Sequence, residues 1–170
     1  MRTLLLALSY DGACFHGWQV QKNASSVQQT FQDAVERVLG ERPDCKGCSR
    51  TDSGVHANCF CVSLRTSHPI PCKRLQAALN HFLPESVSVL DIREAPESLH
   101  ARYSCLGKEY EYRIWNARAR NPFLRGARCT TTTRSMRKGS TRRRSTSSAA
   151  TTSPRSARST SAKWATFPAP

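Results

Sequence analysis

The sequence predicts an α+β fold, a ferredoxin-like βαββαβ unit followed by a disordered basic tail. Three observations carry this. Through residue 93 the elements read strand, helix, strand, strand, helix, strand. The apolar pattern switches between runs suited to strands and a 3.6-residue repeat suited to helices. After residue 126 apolar periodicity ceases.

Thr3 to Ser9 is apolar and reads as a buried first strand, ended by the turn residues Tyr10-Asp11-Gly12. The same start resembles a weak signal peptide, but its apolar run is short and no cleavage-like site follows, so a strand is preferred. Ser25-x-x-Gln28 reads as a capping box. Val27, Phe31, Ala34, Val35, Val38 and Leu39 then recur at helical spacing until Gly40. Asp44 to Gly47 is a short strand, and Asn58 to Arg65 is apolar enough to be central. Pro71 opens a second helix with a stripe of Leu75, Ala78, Leu79, Phe82 and Leu83 before Pro84. Val87 to Ile92 and Tyr110 to Trp115 alternate like strands. One such unit covers one face of its sheet with helices, and the other face needs a partner.

The formal charge of +14 suggests a polyanionic partner, but it is unevenly spread. Residues 1–126 hold 16 Lys+Arg and all 12 Asp+Glu, whereas residues 127–170 hold 10 Lys+Arg and no acid. The chain is therefore read as a domain over 1–126 and a Ser/Thr/Arg-rich tail over 127–170. No apolar run approaches the roughly 20 residues of a membrane span. Eight cysteines at irregular spacings, without an export signal, suggest reduced thiols in the cytoplasm. Cys45-x-x-Cys48 is a single CxxC. A zinc-stabilised domain would need Cys59 and Cys61 as well, and small apolar filling is the plainer reading.

The densest chemistry lies in Gly47 to Ala57, where Asp52 stands between Arg50 and Gly54 in a loop joining two strands. Arg50 is placed to hold Asp52 ionised or to bind phosphate. Gly54 permits close backbone approach or an unusual dihedral. On residue types alone, a local Arg-x-Asp ion pair competes with a catalytic carboxylate.

The string RTDSGVHA resembles the signature of the TruA family of tRNA pseudouridine synthases. Six further stretches match that family in order: Tyr10-Asp11-Gly12 with Phe15 to Gln21, Ser26-Val27-Gln28, Asn80 to Pro84, His100 to Ser104, Lys108 to Asn116, and Asn121-Pro122-Phe123. The likeness covers about three quarters of this chain but only the first half of a family member. It implies that Asp52 is the nucleophile, Arg50 the arginine of the same motif, Tyr110 the aromatic that stacks on the target base, and Arg102 an RNA or active-site contact. It implies isomerisation of uridine in the anticodon stem-loop of tRNA, with no cofactor and no metal. The family works as a homodimer, an assembly that truncation puts in doubt here. A base must leave its stack to be modified, an aromatic offers it a face, and an ionised carboxylate can act at the anomeric carbon. His56 reads as structural or RNA-facing, and Trp18 as packing.

Beyond Gly126 the likeness stops. Residues 127–170 carry 19 Ser+Thr, a composition that cannot bury a core. One reading is a disordered tail. A sharper one is a frameshift: permitted codons for Arg128 to Gly139, read two bases later in each triplet, give ALHYHYPLDEEG apart from the edges. Continued through Ser156 they give LNAAAKHFVGSHDFAAF, with the HDF motif the family shows next. The chain is then a truncated, inactive synthase lineage. The alternative is a non-catalytic RNA-binding module using the basic tail.

Overall fold

The computed structural model describes residues 1–111, 114–115, 122 and 129–130. They belong to two compact units, one running from Met1 to Gly107 and a second beginning at Lys108.

The first unit is the α+β sandwich expected. Its strands are β1 (Arg2–Tyr10), β2 (Lys46–Gly47), β3 (Ala57–Thr66) and β4 (Val87–Ala95), with α1 (Val27–Leu39) between β1 and β2 and α2 (Cys72–Phe82) between β3 and β4. The sheet order is β2-β3-β1-β4, and every neighbouring pair is antiparallel. This is the ferredoxin-like arrangement: β1 and β3 fill the centre because they are the most apolar strands, and each helical crossover skips one strand.

Alternation along β1 fixes the register. Leu4, Leu6 and Leu8 are fully buried and sit opposite Leu64, Val62 and Phe60 of β3. The same core holds Phe31 and Val35 of α1 and Leu75 and Leu79 of α2. A one-residue slip would turn every one of these leucines to the opposite face. The α2 stripe is narrower than its sequence suggests. Leu75, Leu79 and Leu83 are buried four residues apart, whereas Phe82 is 44% exposed and Ala78 half-buried. β4 carries a bulge at Leu90, between Ala7↔Asp91 and Leu8↔Val89. Two α2 side chains satisfy the disturbed backbone. Asn80 exchanges two bonds with Val89, accepting at 2.7 Å and donating at 3.0 Å, and Gln76 donates to the Leu90 carbonyl at 2.8 Å.

The capping box falls one residue later than read. Ser26, not Ser25, caps α1, its Oγ accepting from Gln29 N–H at 3.3 Å. The two preceding donors, Val27 N–H and Gln28 N–H, bond the carbonyls of Gly17 and Trp18 at 3.2 and 3.0 Å. Gln28 is therefore not a surface capping partner but a buried bridge. It accepts from Gln19 Nε2 at 3.1 Å and donates to the Cys45 carbonyl at 3.2 Å.

The segment after β4 crosses the sheet face away from the core leucines. Ala101 is fully buried and its N–H donates to Ser63 Oγ at 3.0 Å. In the second unit, Ile114–Trp115 (β5) pairs in parallel with Cys129–Thr130 (β6). The strand read over 110–115 is thus confined to its last two residues among those described, and Cys129–Thr130 lies in the segment read as tail. The remainder of that tail lies outside the described residues.

Candidate functional site

The loop joining β2 to β3 carries Arg50, Thr51 and Asp52, and the chain between β1 and α1 holds it from below. Trp18 N–H donates to the Thr51 carbonyl at 3.1 Å, and Gly54 N–H donates to the Phe15 carbonyl at 3.2 Å. Ser53 Oγ also bonds the Phe15 carbonyl, at 3.4 Å. Val55 N–H closes a turn on the Asp52 carbonyl at 3.3 Å, with Gly54 at φ +76° inside it. Of the two uses open to Gly54, the structure shows the unusual dihedral, since a Cβ there would meet nothing within 4 Å. Close approach belongs instead to Gly17: at φ +93°, a Cβ on it would lie 2.5 Å from the Thr51 carbonyl oxygen.

Beneath the loop, Tyr10, Trp18 and Phe60 form an aromatic platform. The Trp18 and Phe60 ring centroids lie 4.3 Å apart and those of Tyr10 and Phe60 5.6 Å apart. Trp18 is buried and serves packing, as read. The Tyr10 hydroxyl shares a hydrogen bond with Thr51 Oγ1 at 2.9 Å, and burial pushes its pKa up to about 12. His56 Nδ1 stands 2.9 Å from Asp11 Oδ1, which also accepts from Ala13 N–H at 2.9 Å. His56 thus tethers the far end of the loop to the first turn of chain after β1.

Asp52 is exposed at a cleft of about 470 Å³ that it shares with Arg50, Ser53, His16, Gln19 and Gln21. Among the described residues, neither the Asp52 carboxylate nor the Arg50 guanidinium has a hydrogen-bond or ion-pair partner. The Arg-x-Asp ion pair that competes as an explanation of the motif is not made, and both charged groups face the cleft.

His16, Gln19 and Gln21 form the opposite wall and were not assigned a role from sequence. Their only signal is membership of the Phe15 to Gln21 stretch. The backbone orders them: His16 N–H donates to the Ser25 carbonyl at 2.9 Å and Gln21 Nε2 donates to the His16 carbonyl at 2.8 Å. Arg102 does not line this cleft. It is exposed on the turn after β4, its guanidinium carbon 6.0 Å from the Tyr103 ring centre. Tyr110 is 49% exposed and lies in the second unit. No three His, Cys, Asp or Glu side chains among the described residues are grouped to hold a metal ion.

A motif aspartate presented to an open cleft on a rigid α+β frame defines a class that comparison identifies. Residues 6–104 match the family model described as tRNA pseudouridine synthase, and the chain belongs to that family. Within it, the similar relatives are of the A type. "tRNA pseudouridine synthase A" of Ruminiclostridium cellulolyticum is 42% identical over 129 residues, 76% of this chain and 53% of the relative. Its counterpart in Aquifex aeolicus is 44% identical over 124 residues, 73% of this chain and 52% of the relative. In Thermoanaerobacter sp. the figures are 42% over 125 residues, 74% and 51%. The chain spans about half the length of the curated relatives it matches.

Proposed function

We propose that this chain carries the aspartate-bearing half of a cytoplasmic enzyme that isomerises uridine to pseudouridine in the anticodon stem-loop of tRNA. The observation that carries the reading is Asp52: a carboxylate in the family motif, at an open cleft, with no partner among the described residues. The uracil leaves its stack and enters the cleft. The ionised Asp52 acts at the anomeric carbon while the base detaches, and the base turns and rejoins through carbon-5. Arg50, on the same wall, binds backbone phosphate or stabilises developing charge. Tyr110 offers the extruded base a stacking face, and Arg102 contacts RNA from the turn after β4. No cofactor or metal is required.

The second half of the site is supplied by residues this reading frame does not encode. The 19 Ser+Thr of residues 127–170, and the HDF text that permitted codons give in the shifted frame, support a frameshift near codon 126. The 170-residue chain is accordingly inactive. The test is direct. The chain as written gives no pseudouridine on unmodified tRNA, and the gene with its downstream frame restored gives turnover that Asp52→Ala abolishes. Robust turnover by the 170-residue chain would refute the truncation. Turnover that survives Asp52→Ala would refute the assignment of the nucleophile. The net charge of +10 over residues 127–170 supports a second reading, a non-catalytic RNA-binding module. It requires that removing those residues weaken RNA binding with a reduced salt dependence.

A further inference from the structure

The geometry points to a reversible cross-strand disulfide between Cys48 and Cys61, formed at the base of the Asp52 loop by exchange with a low-molecular-weight disulfide. The register of β2 on β3 runs Lys46↔Ser63 and Gly47↔Val62, so the next residue, Cys48, stands opposite Cys61. Its N–H donates to the Cys61 carbonyl at 2.8 Å. Residues opposed in this way have Cα atoms about 5.5 Å apart, inside the range of roughly 4.4–6.8 Å that a disulfide spans. Their Cβ atoms lie about 4.5–5.5 Å apart, wider than the roughly 3.8 Å of a relaxed bridge. The bridge therefore pulls the strands together. A strained disulfide has a raised reduction potential, which makes this one reversible rather than a permanent staple.

A third thiol gives access. Cys59 lies two residues from Cys61 on the same face of β3 and is less buried than Cys61. Burial first, then the neighbouring Cys59 and Cys48, raise the Cys61 thiol above its ordinary pKa. Cys61 is thus shielded, and the less buried Cys59 meets the small disulfide first. The Cys59 thiolate attacks one sulfur of the small disulfide, and the other sulfur leaves as a thiolate that takes up a proton. Cys61 displaces the second small thiol from Cys59; the resulting Cys59–Cys61 link has a Cα span of about 6.8 Å along a strand, at the limit of disulfide geometry, and is transient. Cys48 then attacks the Cys61 sulfur and releases Cys59 as a thiol. In sum, two protein thiols lose two electrons, one small disulfide becomes two thiols, and those thiols carry the two protons. Cys45, the other half of the CxxC, has no such partner among the described residues. It is buried, its thiol is bonded to the Pro43 carbonyl at 3.5 Å, and burial pushes its pKa up to about 12.

The experiment equilibrates the folded chain with oxidised glutathione, blocks remaining thiols, and maps peptides without reduction. Tryptic cleavage after Lys46 and Arg50, with chymotryptic cleavage after Phe60, places Cys45, Cys48, Cys59 and Cys61 on four separate peptides. The expected map contains a Cys48–Cys61 linked peptide that dithiothreitol removes, with Cys45 blocked only after denaturation. Cys59→Ser forms the same link on the order of tenfold more slowly, and Cys48→Ser and Cys61→Ser lose it. The wild-type map decides by itself if a variant does not fold. Glutathione confined to single sites such as Cys14 or Cys72, a stable Cys59–Cys61 link, or scattered pairing would each overturn the proposal.

Discussion

Both helices bury an apolar stripe in one core, yet their surroundings differ in a way that separates site from scaffold. The chain entering α1 supplies carbonyls to the helix start through Gly17 and Trp18, and holds the Asp52 loop through the Trp18 N–H and the Phe15 carbonyl. At α2 the N-terminus has Pro71 and no side-chain cap, and its polar side chains turn to the β4 bulge. Around α1 one stretch of backbone, Phe15 to Trp18, serves helix and loop through different groups. Around α2 the polar side chains serve only the sheet. Perturbing the first region should disturb the Asp52 loop, and perturbing the second should cost stability alone.

The largest effect falls on Gly17→Ala. Its Cβ would overlap the Thr51 carbonyl oxygen in a left-handed backbone, and overpacking with that strain costs about 3 kcal/mol or more. Urea denaturation should report the loss, and the amide resonances of Thr51 to Val55 should shift in whatever fraction stays folded. Leu79→Ala comes next, removing a fully buried side chain at a cost of about 2–5 kcal/mol. It should leave the Thr51 to Val55 resonances in place; a shift there would break the division between the two regions. Ser26→Ala is smaller, about 1 kcal/mol for a lost cap, and should be read as a fall in the urea midpoint with the denaturant slope unchanged.

The smallest effect at neutral pH is Tyr10→Phe, which gives up one hydrogen bond to Thr51, about 1 kcal/mol. Its alkaline signature sharpens the test. The folded-state pKa of Tyr10 is raised from 10.0 to about 12, so the folded state keeps its proton where the unfolded state gives it up. The stability tied to that proton is fully present below pH 10 and is lost as pH rises towards about 12. Wild type should therefore lose more stability than Tyr10→Phe across that window. Parallel curves would show that the buried phenol is not linked to folding.

Much of this frame was legible in the residues. The leucines of β1 alternate, Val27 to Leu39 keep one helical face, and Gly40 ends it, because burial leaves a period in the sequence. Polar interiors leave none. Gln28 reads as a capping partner and is in fact buried between Gln19 and Cys45. Phe82 looks like core and lies half in solvent, since helical spacing marks a face but not its width. At the site, the Arg50–Asp52 spacing suggests an ion pair that tertiary structure does not form. The wall of His16, Gln19 and Gln21 arises from chain folding some 30 residues away from Asp52. Such a meeting has no local signature.

The double use of the Phe15 to Trp18 backbone has a dynamic consequence. A loop moored only at its own ends can open by itself, with little else disturbed. Here the contacts that fix the aspartate are continuous with those that start α1, so lifting the loop frees helix donors as well. Fraying of the first helical turn and release of the Asp52 carboxylate become one cooperative event. Anything that holds the carboxylate in place would in turn steady the start of α1.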